Sequence, residues 1–174
     1  MAVTQFASLK NYKKGGVQVI DDDARNYVFS NLFEVAAKAA PYERIAIGKN
    51  FEYVIEVARA EGSSPWFNCA HDEFVLSMDG RVEVHLLELK DPQLLVAPDS
   101  QGAHRLATEL PDGRKMGRII LNRGHMALLP AGSAYRFQAD VPAAVVFQTL
   151  QGPVTVEKWA EICQASAEHT HGNE

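Results

Sequence analysis

Residues 65–89, PWFNCAHDEFVLSMDGRVEVHLLEL, are the stretch on which the fold turns. Two strand-like runs, Glu73 to Met78 and Arg81 to Leu89, flank Asp79-Gly80. An Asp-Gly pair between such runs signals a tight hairpin, because both residues tolerate the positive φ that short turns need. In the second run Val82, Val84 and Leu86 alternate with Arg81, Glu83 and His85, so one face is dry and the other wetter.

The same period continues on both sides. Toward the N-terminus, Arg44 to Gly48 reads as a strand, Gly48-Lys49-Asn50 as a turn, and Phe51 to Glu61 as a longer strand. There Phe51, Tyr53, Ile55 and Val57 share one face and Glu52, Val54 and Glu56 the other. Before Pro41 the spacing changes. Val28, Leu32, Val35, Ala36 and Ala39 predict one helix from about Asp23 to Ala39, with Asp21, Asp22 and Asp23 at its positive end and Pro41 stopping it. The first twenty or so residues, with the short apolar run Val17 to Ile20, read as an extended arm.

Toward the C-terminus, Lys90 to Lys115 carries Pro92, Pro98, Gly102, Pro111 and Gly113 and reads as a long loop with room for one hairpin. Loops of that length are usually functional or mobile. Strands are expected again at Arg118 to Asn122, His125 to Leu129, Ala134 to Gln138 and Ala143 to Leu150. A helix from about Val156 to Cys163 follows, with Thr155 as N-cap. Many short strands joined by Gly/Pro turns predict an all-β sandwich or barrel with a helix at each end. The expected division is an arm and helix over 1–40, packing on the barrel or on a partner, a barrel over 41–165 and a flexible tail over 166–174.

Composition narrows the function. The chain has 174 residues, 47% hydrophobic and 22% charged, with a formal net charge of -5, enough for one globular domain. It has no lysine/arginine cluster, which argues against nucleic acid as a partner. No apolar run reaches the roughly 18–20 residues of a membrane span, and the start, MAVTQFASLKNYKKGG, lacks a signal peptide's apolar block. A cytoplasmic protein without a membrane partner is the expectation. Cys69 and Cys163 stand far apart with no Cys-x-x-Cys pair, which argues against a zinc ribbon or disulfide scaffold.

Two segments resemble the cupin family, whose fold is a jelly-roll β-barrel. Its first motif runs glycine, five residues, His-x-His, three or four residues, glutamate, six residues, glycine. Glu73 and Gly80 match its end, with Gly62 upstream. The second motif runs glycine, five residues, Pro-x-Gly, two residues, histidine, three residues, asparagine. Gly124 and Pro130-Ala131-Gly132 match its start. The departures are informative. The His-x-His positions fall on Phe67 and Cys69, or with the longer spacing on Trp66 and Asn68. The second-motif histidine falls on Tyr135 and the asparagine on Ala139. A mononuclear iron or manganese cupin uses three histidines and the glutamate. Of these only Glu73 remains, so the chain is expected to hold no catalytic metal.

Other residues do not readily rebuild the site. Cys69, His71 and Glu73 share one strand face but spread over about 13 Å at about 3.3 Å per residue, too wide for one ion with bonds near 2 Å. His71 and Glu73 remain as a weak, incomplete metal pair. His85, His104 and His125 read as surface or hydrogen-bonded histidines, and His169 and His171 as a tail pair suited to adventitious metal. Trp66, Phe67, Asn68 and Tyr135 are the candidates for lining a substrate pocket or an interface, beside the plainer reading of Trp66 and Phe67 as packing. Arg136 reads as an exposed arginine or an anion ligand.

Within the cupins, NCAHDEFVLSMDGRVEVHLLEL (68–89) and GHMALLPAGSAYRFQA (124–139) are similar to the small subunit of the two-component hydroquinone 1,2-dioxygenases. The resemblance implies a heterotetramer of two small and two large subunits, acting in bacterial degradation of hydroquinone and 4-nitrophenol. It implies iron(II) in the larger cupin-like subunit, a phenolic substrate opened to 4-hydroxymuconic semialdehyde, and no metal or catalytic residue in this chain. Two other readings remain open on the residues alone. One is a stand-alone metal-free cupin that binds a small molecule, and the other a single-subunit dioxygenase with unusual ligands.

Overall fold

The computed structural model describes residues 8–12, 32–50, 53–92 and 100–158. They form an all-β jelly-roll barrel that is nearly closed, with one helix on its outside, as the motifs predict. The organising element is β9 (Ser133–Leu150), an 18-residue strand in place of the two strands expected at Ala134 to Gln138 and Ala143 to Leu150. Its first half pairs with β3 (Phe67–Cys69) and β5 (Val82–Leu89), its second half with β2 (Tyr53–Ser63) and β4 (Glu73–Ser77). The exposed residues Asp140, Val141 and Pro142 mark the corner where it passes from one sheet to the other.

The register makes three bent ribbons. Along one side of β9, β2 ends with Ser63 opposite Gln138 and β3 resumes with Phe67 opposite Tyr135. Along the other side, β4 ends with Ser77 opposite Val145 and β5 continues with Glu83 opposite Gln138. Outer strands extend each sheet: β1 (Arg44–Asn50) beside β2, β8 (Met126–Leu129) beside β4, β6 (Ala103–Arg105) beside β3, and β7 (Gly113–Leu121) beside β5. The space between the sheets holds Val75, Val82, Val84, Leu86, Leu121, Leu129, Phe137, Val145 and Phe147. The expected alternation of β5 is present, with Val82, Val84 and Leu86 buried.

Several expected elements are corrected. Asp79-Gly80 does not close a hairpin, because β4 and β5 pair with β9 and not with each other. The segment is a crossover corner: Asp79 accepts hydrogen bonds from the backbone N–H of Ala144 at 2.8 Å and of Leu9 at 2.6 Å, and Ser77 Oγ donates to the Gly80 carbonyl at 2.7 Å. Glycine is needed there for space, since a Cβ on Gly80 would sit 2.5 Å from that of Ala143. Gly124 and Gly132 do have positive φ, 79° and 72°, in the turns that lead into β8 and β9.

Gly48-Lys49-Asn50 lies inside β1, not in a turn, because a bulge between Ala46 and Gly48 lets the pairing run on to Asn50 opposite Tyr53. The strand expected from Arg118 begins earlier, at Gly113, as β7 extends its ladder with β5 to Leu89. The long loop contributes β6, which pairs with β3. Thr155 is not an N-cap: Thr155–Val156 form β10, parallel to β1 with Arg44 opposite Thr155. Glu157 and Lys158 are not helical, and residues 159–163 of the expected C-terminal helix, the tail, Cys163, His169 and His171 lie outside the described residues, as do most of the arm and the front of the N-terminal helix.

The described part of that helix, α1 (Leu32–Lys38), packs Phe33 and Ala36 with Ala39 on Ile45, Ile47, Val57 and Ala144. On the opposite sheet, Trp66, Leu87, Leu89, Leu106 and Ala134 form a second outer cluster. No helix among the described residues is long and apolar enough to cross a membrane.

The Gly80 corner gives a test. Gly80→Ala is expected to lower unfolding stability by about 1–3 kcal/mol through overpacking. Adding Ala143→Gly should recover part of that loss, as measured by urea denaturation. Equal stability of Gly80→Ala and the parent chain would show that the corner has room.

Candidate functional site

Among the described residues, the buried charged side chains gather at one place in the barrel. Arg44, at the start of β1, enters the space between the sheets with 2% of its surface exposed, and Glu56 of β2 and Glu73 of β4 meet it there fully buried. Its guanidinium donates from Nε to Glu56 Oε2 at 2.5 Å, from Nη1 to the Tyr135 hydroxyl at 3.1 Å, and from Nη2 to Glu73 Oε1 at 2.7 Å. It also lies 4.1 Å from the centre of the Phe147 ring, whose π-face favours a cation. A planar fork with several donors suits this multi-acceptor site better than a lysine would.

The acceptors are saturated in turn. Glu73 Oε1 also accepts from Thr149 Oγ1 at 2.7 Å, and Glu73 Oε2 accepts from the Tyr135 hydroxyl. Glu56 Oε1 accepts from Thr155 Oγ1 at 2.5 Å. Burial alone would raise the pKa of Glu73, but the Arg44 guanidinium with the Tyr135 and Thr149 hydroxyls outweighs it and holds the carboxyl below its usual range. Burial pushes the Tyr135 phenol well up, and the Glu73 carboxylate pushes it further, so it stays protonated and donates. For Arg44, burial opposes the charge, but the carboxylates of Glu73 and Glu56 dominate and keep it protonated.

The structure resolves the two motif spacings. Phe67 and Cys69 are buried on β3, and Phe67 stacks on Tyr135 inside the barrel with ring centres 5.9 Å apart. Trp66 belongs to the outer cluster, donates from its indole to the Glu109 carbonyl at 2.9 Å and carries Arg136 over its ring at 5.0 Å. Asn68 donates to the Ser133 carbonyl at 2.8 Å. The four pocket or interface candidates, Trp66, Phe67, Asn68 and Tyr135, therefore split between the two faces of the sheet. All are at most 5% exposed. Arg44, Glu56 and Thr149, which complete the cluster, were not among the sequence candidates. Glu56 carried the one available signal, an acid on an otherwise strand-like segment.

The remaining candidates are dispersed. His71 Nδ1 is 2.8 Å from the Asp72 carbonyl and its Nε2 3.5 Å from Thr149 Oγ1. His104 Nε2 meets Ser100 Oγ at 2.5 Å, and His125 Nδ1 accepts from Asn122 N–H at 3.4 Å. His85 lies beside Glu83 at 3.5 Å, and burial, then the charge of Arg136, lowers its pKa. Among the described residues no group of three or more His, Cys, Asp or Glu is placed to hold a metal. The cupin motif positions do not fit one either. Phe67 has no lone pair, the Cys69 thiol is pushed up to about 12 by burial and then by Glu73, Tyr135 is a proton donor, and Glu73 is already held by a cation.

Comparison with known proteins gives a consistent picture. No family model and no curated protein matches the chain. Among solved structures, a chain of hydroquinone 1,2-dioxygenase from Sphingomonas sp. TTNP3 with 4-hydroxybenzoate bound is 68% identical, over 94% of this chain and 98% of that one, with a TM-score of 0.88. A chain of hydroquinone 1,2-dioxygenase PnpCD in complex with Cd2+ and 4-hydroxybenzonitrile is 53% identical, over 94% and 97%, with a TM-score of 0.84. A chain of PnpCD in complex with Fe3+ shares the fold at a TM-score of 0.57 and 11% identity, and the match spans 83% of this chain but 40% of that one.

Two outcomes follow from the cluster. Arg44→Met leaves two buried carboxylates without their cation and is expected to cost about 3–5 kcal/mol in chemical denaturation. Glu73 has a folded pKa below its ordinary value of 4.5, so its charge stabilises the fold above that value and the contribution is lost as pH falls through it. In Glu73→Gln the acid-side decline of the thermal midpoint, between about pH 5 and pH 3, should be shallower than in the parent. Separately, Cys69 in a Cys163→Ser background should react with a thiol reagent at neutral pH only after unfolding. Rapid labelling of the folded chain would contradict its burial.

Proposed function

The chain belongs to the cupin-fold hydroquinone 1,2-dioxygenase family, and on that premise we propose that it is the small, metal-free subunit of an iron(II)-dependent enzyme that opens the ring of hydroquinone. It acts in cytoplasmic breakdown of hydroquinone and 4-nitrophenol, in a heterotetramer of two small and two large subunits. The likeness to both dioxygenase chains over nearly their whole length supports the reaction class.

The observation that carries the division of labour is the arginine cluster. Ring cleavage by dioxygen needs a redox iron with open positions for oxygen and substrate. In this chain the motif positions Glu73 and Tyr135 are committed to Arg44 and to each other. The chemistry therefore belongs to another chain. A larger cupin-like partner is supported by the PnpCD chain of the same fold, of which this one spans 40%. The small subunit's own residues contribute a barrel whose buried charged cluster is paired internally and whose exposed surface is left to support that partner.

That exposed surface includes an apolar band on the sheet of β2, β4 and β8. Tyr53, Ile55, Phe74, Met126 and Leu128 are all exposed. Phe74 pairs with Leu128 on one side and with Gln148 on the other, and Ile55 also pairs with Gln148, so the band crosses the sheet. Clustered exposed apolar side chains mark an interaction site, and in this reading the band, with Gln148 at its centre, is where the large subunit docks.

Reconstitution tests the reading. Each chain is purified alone, and ring opening of hydroquinone is followed by oxygen uptake. Activity is expected only in the mixture, with iron bound to the large chain and a complex larger than either alone. Stoichiometric iron and ring cleavage in this chain by itself would overturn the proposal. A chain that stays monomeric beside the large subunit would favour a stand-alone binder.

A further inference from the structure

Two of the motif positions that a metal-binding cupin would aim at its ion, Glu73 and Tyr135, here aim at a guanidinium. Both bond it directly, Glu73 Oε1 at 2.7 Å and the Tyr135 hydroxyl at 3.1 Å. The guanidinium comes from β1, outside either motif, and is enclosed with 2% exposure. We infer that Arg44 is this barrel's built-in cation: its guanidinium takes the place of the cupin metal and so keeps divalent ions out of that site. The inference rests on the metal-free reading above and deepens it, because it names the group that enforces it.

Three observations carry it. The first is position: the contacts from Arg44 reach strands of both motifs, Glu73 on β4 and Tyr135 on β9, and add Glu56 on β2. A cation at that point touches two of the positions that a metal between the motifs would touch, one from each motif. The second is charge. The guanidinium supplies the positive charge that two buried carboxylates hold between them, and the formal excess of one negative charge means that a second cation is kept out by occupancy and not by repulsion. The third is saturation. Glu73 uses both oxygens, on Arg44 with Thr149 and on Tyr135, and Glu56 uses both, on Arg44 and Thr155. A metal would have to displace the guanidinium, which is covalently tethered and cannot dissociate.

The converse is a latent site. Removing the guanidinium leaves Glu56 and Glu73 facing the vacated space, with Tyr135 and Thr149 oxygens beside them. Carboxylate and hydroxyl oxygens are hard ligands, suited to manganese(II) or magnesium rather than to zinc or copper(I). The site that Arg44 blocks in this chain would therefore take a hard divalent ion bound by oxygen.

The test uses the full chain, as the parent and as Arg44→Ala, Arg44→Lys and Arg44→Ala/Glu73→Gln. Each is equilibrated with manganese(II), desalted, and assayed for metal content and thermal midpoint. Arg44→Ala is expected to retain about one manganese per chain and to gain thermal stability with added manganese. The parent, Arg44→Lys, which keeps a cation, and the double variant should retain almost none. A folded Arg44→Ala that binds no manganese overturns the inference, and so does a parent chain that binds it stoichiometrically. If Arg44→Ala folds only with manganese present, the inference is supported. If it cannot be recovered even then, while Arg44→Lys folds, a divalent ion cannot stand in for the guanidinium and the inference fails. Failure of the subunit reading looks different: iron and ring-cleaving activity in the isolated parent chain.

Discussion

A guanidinium enclosed between two sheets must be neutralised and hydrogen-bonded by its surroundings, because an uncompensated buried charge costs several kcal/mol. In this barrel the requirement falls on Arg44. It is met by four side chains from three strands: Glu56 from β2, Glu73 from β4, and Tyr135 and the face of Phe147 from the two halves of β9. Thr149 and Thr155 then complete the carboxylates. The strands that meet at this point are those whose relative placement defines the barrel. A buried network of this kind specifies one arrangement more sharply than apolar packing does, provided every member is satisfied.

The fold delivers these groups through the long bent strand. Tyr135 lies in the half of β9 paired with β3 and β5, and Thr149 in the half paired with β2 and β4, yet both hydroxyls reach Glu73. The corner at Asp140 to Pro142 makes that convergence possible. The parallel corner beside it, at Asp79 and Gly80, is held by backbone hydrogen bonds to the Asp79 carboxylate and by close packing of Gly80 on Ala143. Around the cluster the rings of Tyr42, Phe67, Tyr135, Phe137 and Phe147 pack in a continuous chain of stacked and edge-on contacts, which fills the interior.

A barrel built this way fits the supporting role proposed for it. Its interior polar groups are paired with one another, the thiol of Cys69 is held protonated, and its histidines are dispersed on separate elements. What it offers outward is an intact barrel with an exposed apolar band across one sheet. These features are those on which the proposed assignment of the oxygen chemistry to a partner chain rests.

How much of this the sequence announced depends on the range of the interactions involved. Motif glycines, the proline turn and the strand alternation of Val82, Val84 and Leu86 rest on local backbone chemistry, so an all-β barrel was legible from the residues, and the resemblance to the cupin motifs added the jelly roll and the missing metal histidines. Asp79-Gly80 misled, because its turn chemistry is local but whether the flanking strands pair is not: both were captured by β9. The single β9 was read as two strands for a related reason, since Pro142 breaks the pattern where the strand bends without ending. Arg44 and Glu56 stayed hidden because an arginine at a strand start and an acid in an alternating strand ordinarily face water. Only tertiary structure brings Arg44 against Glu73, 29 residues away, and Tyr135, 91 residues away. A buried charge is stable only when its partners are already in place, and no local period in the sequence carries that condition.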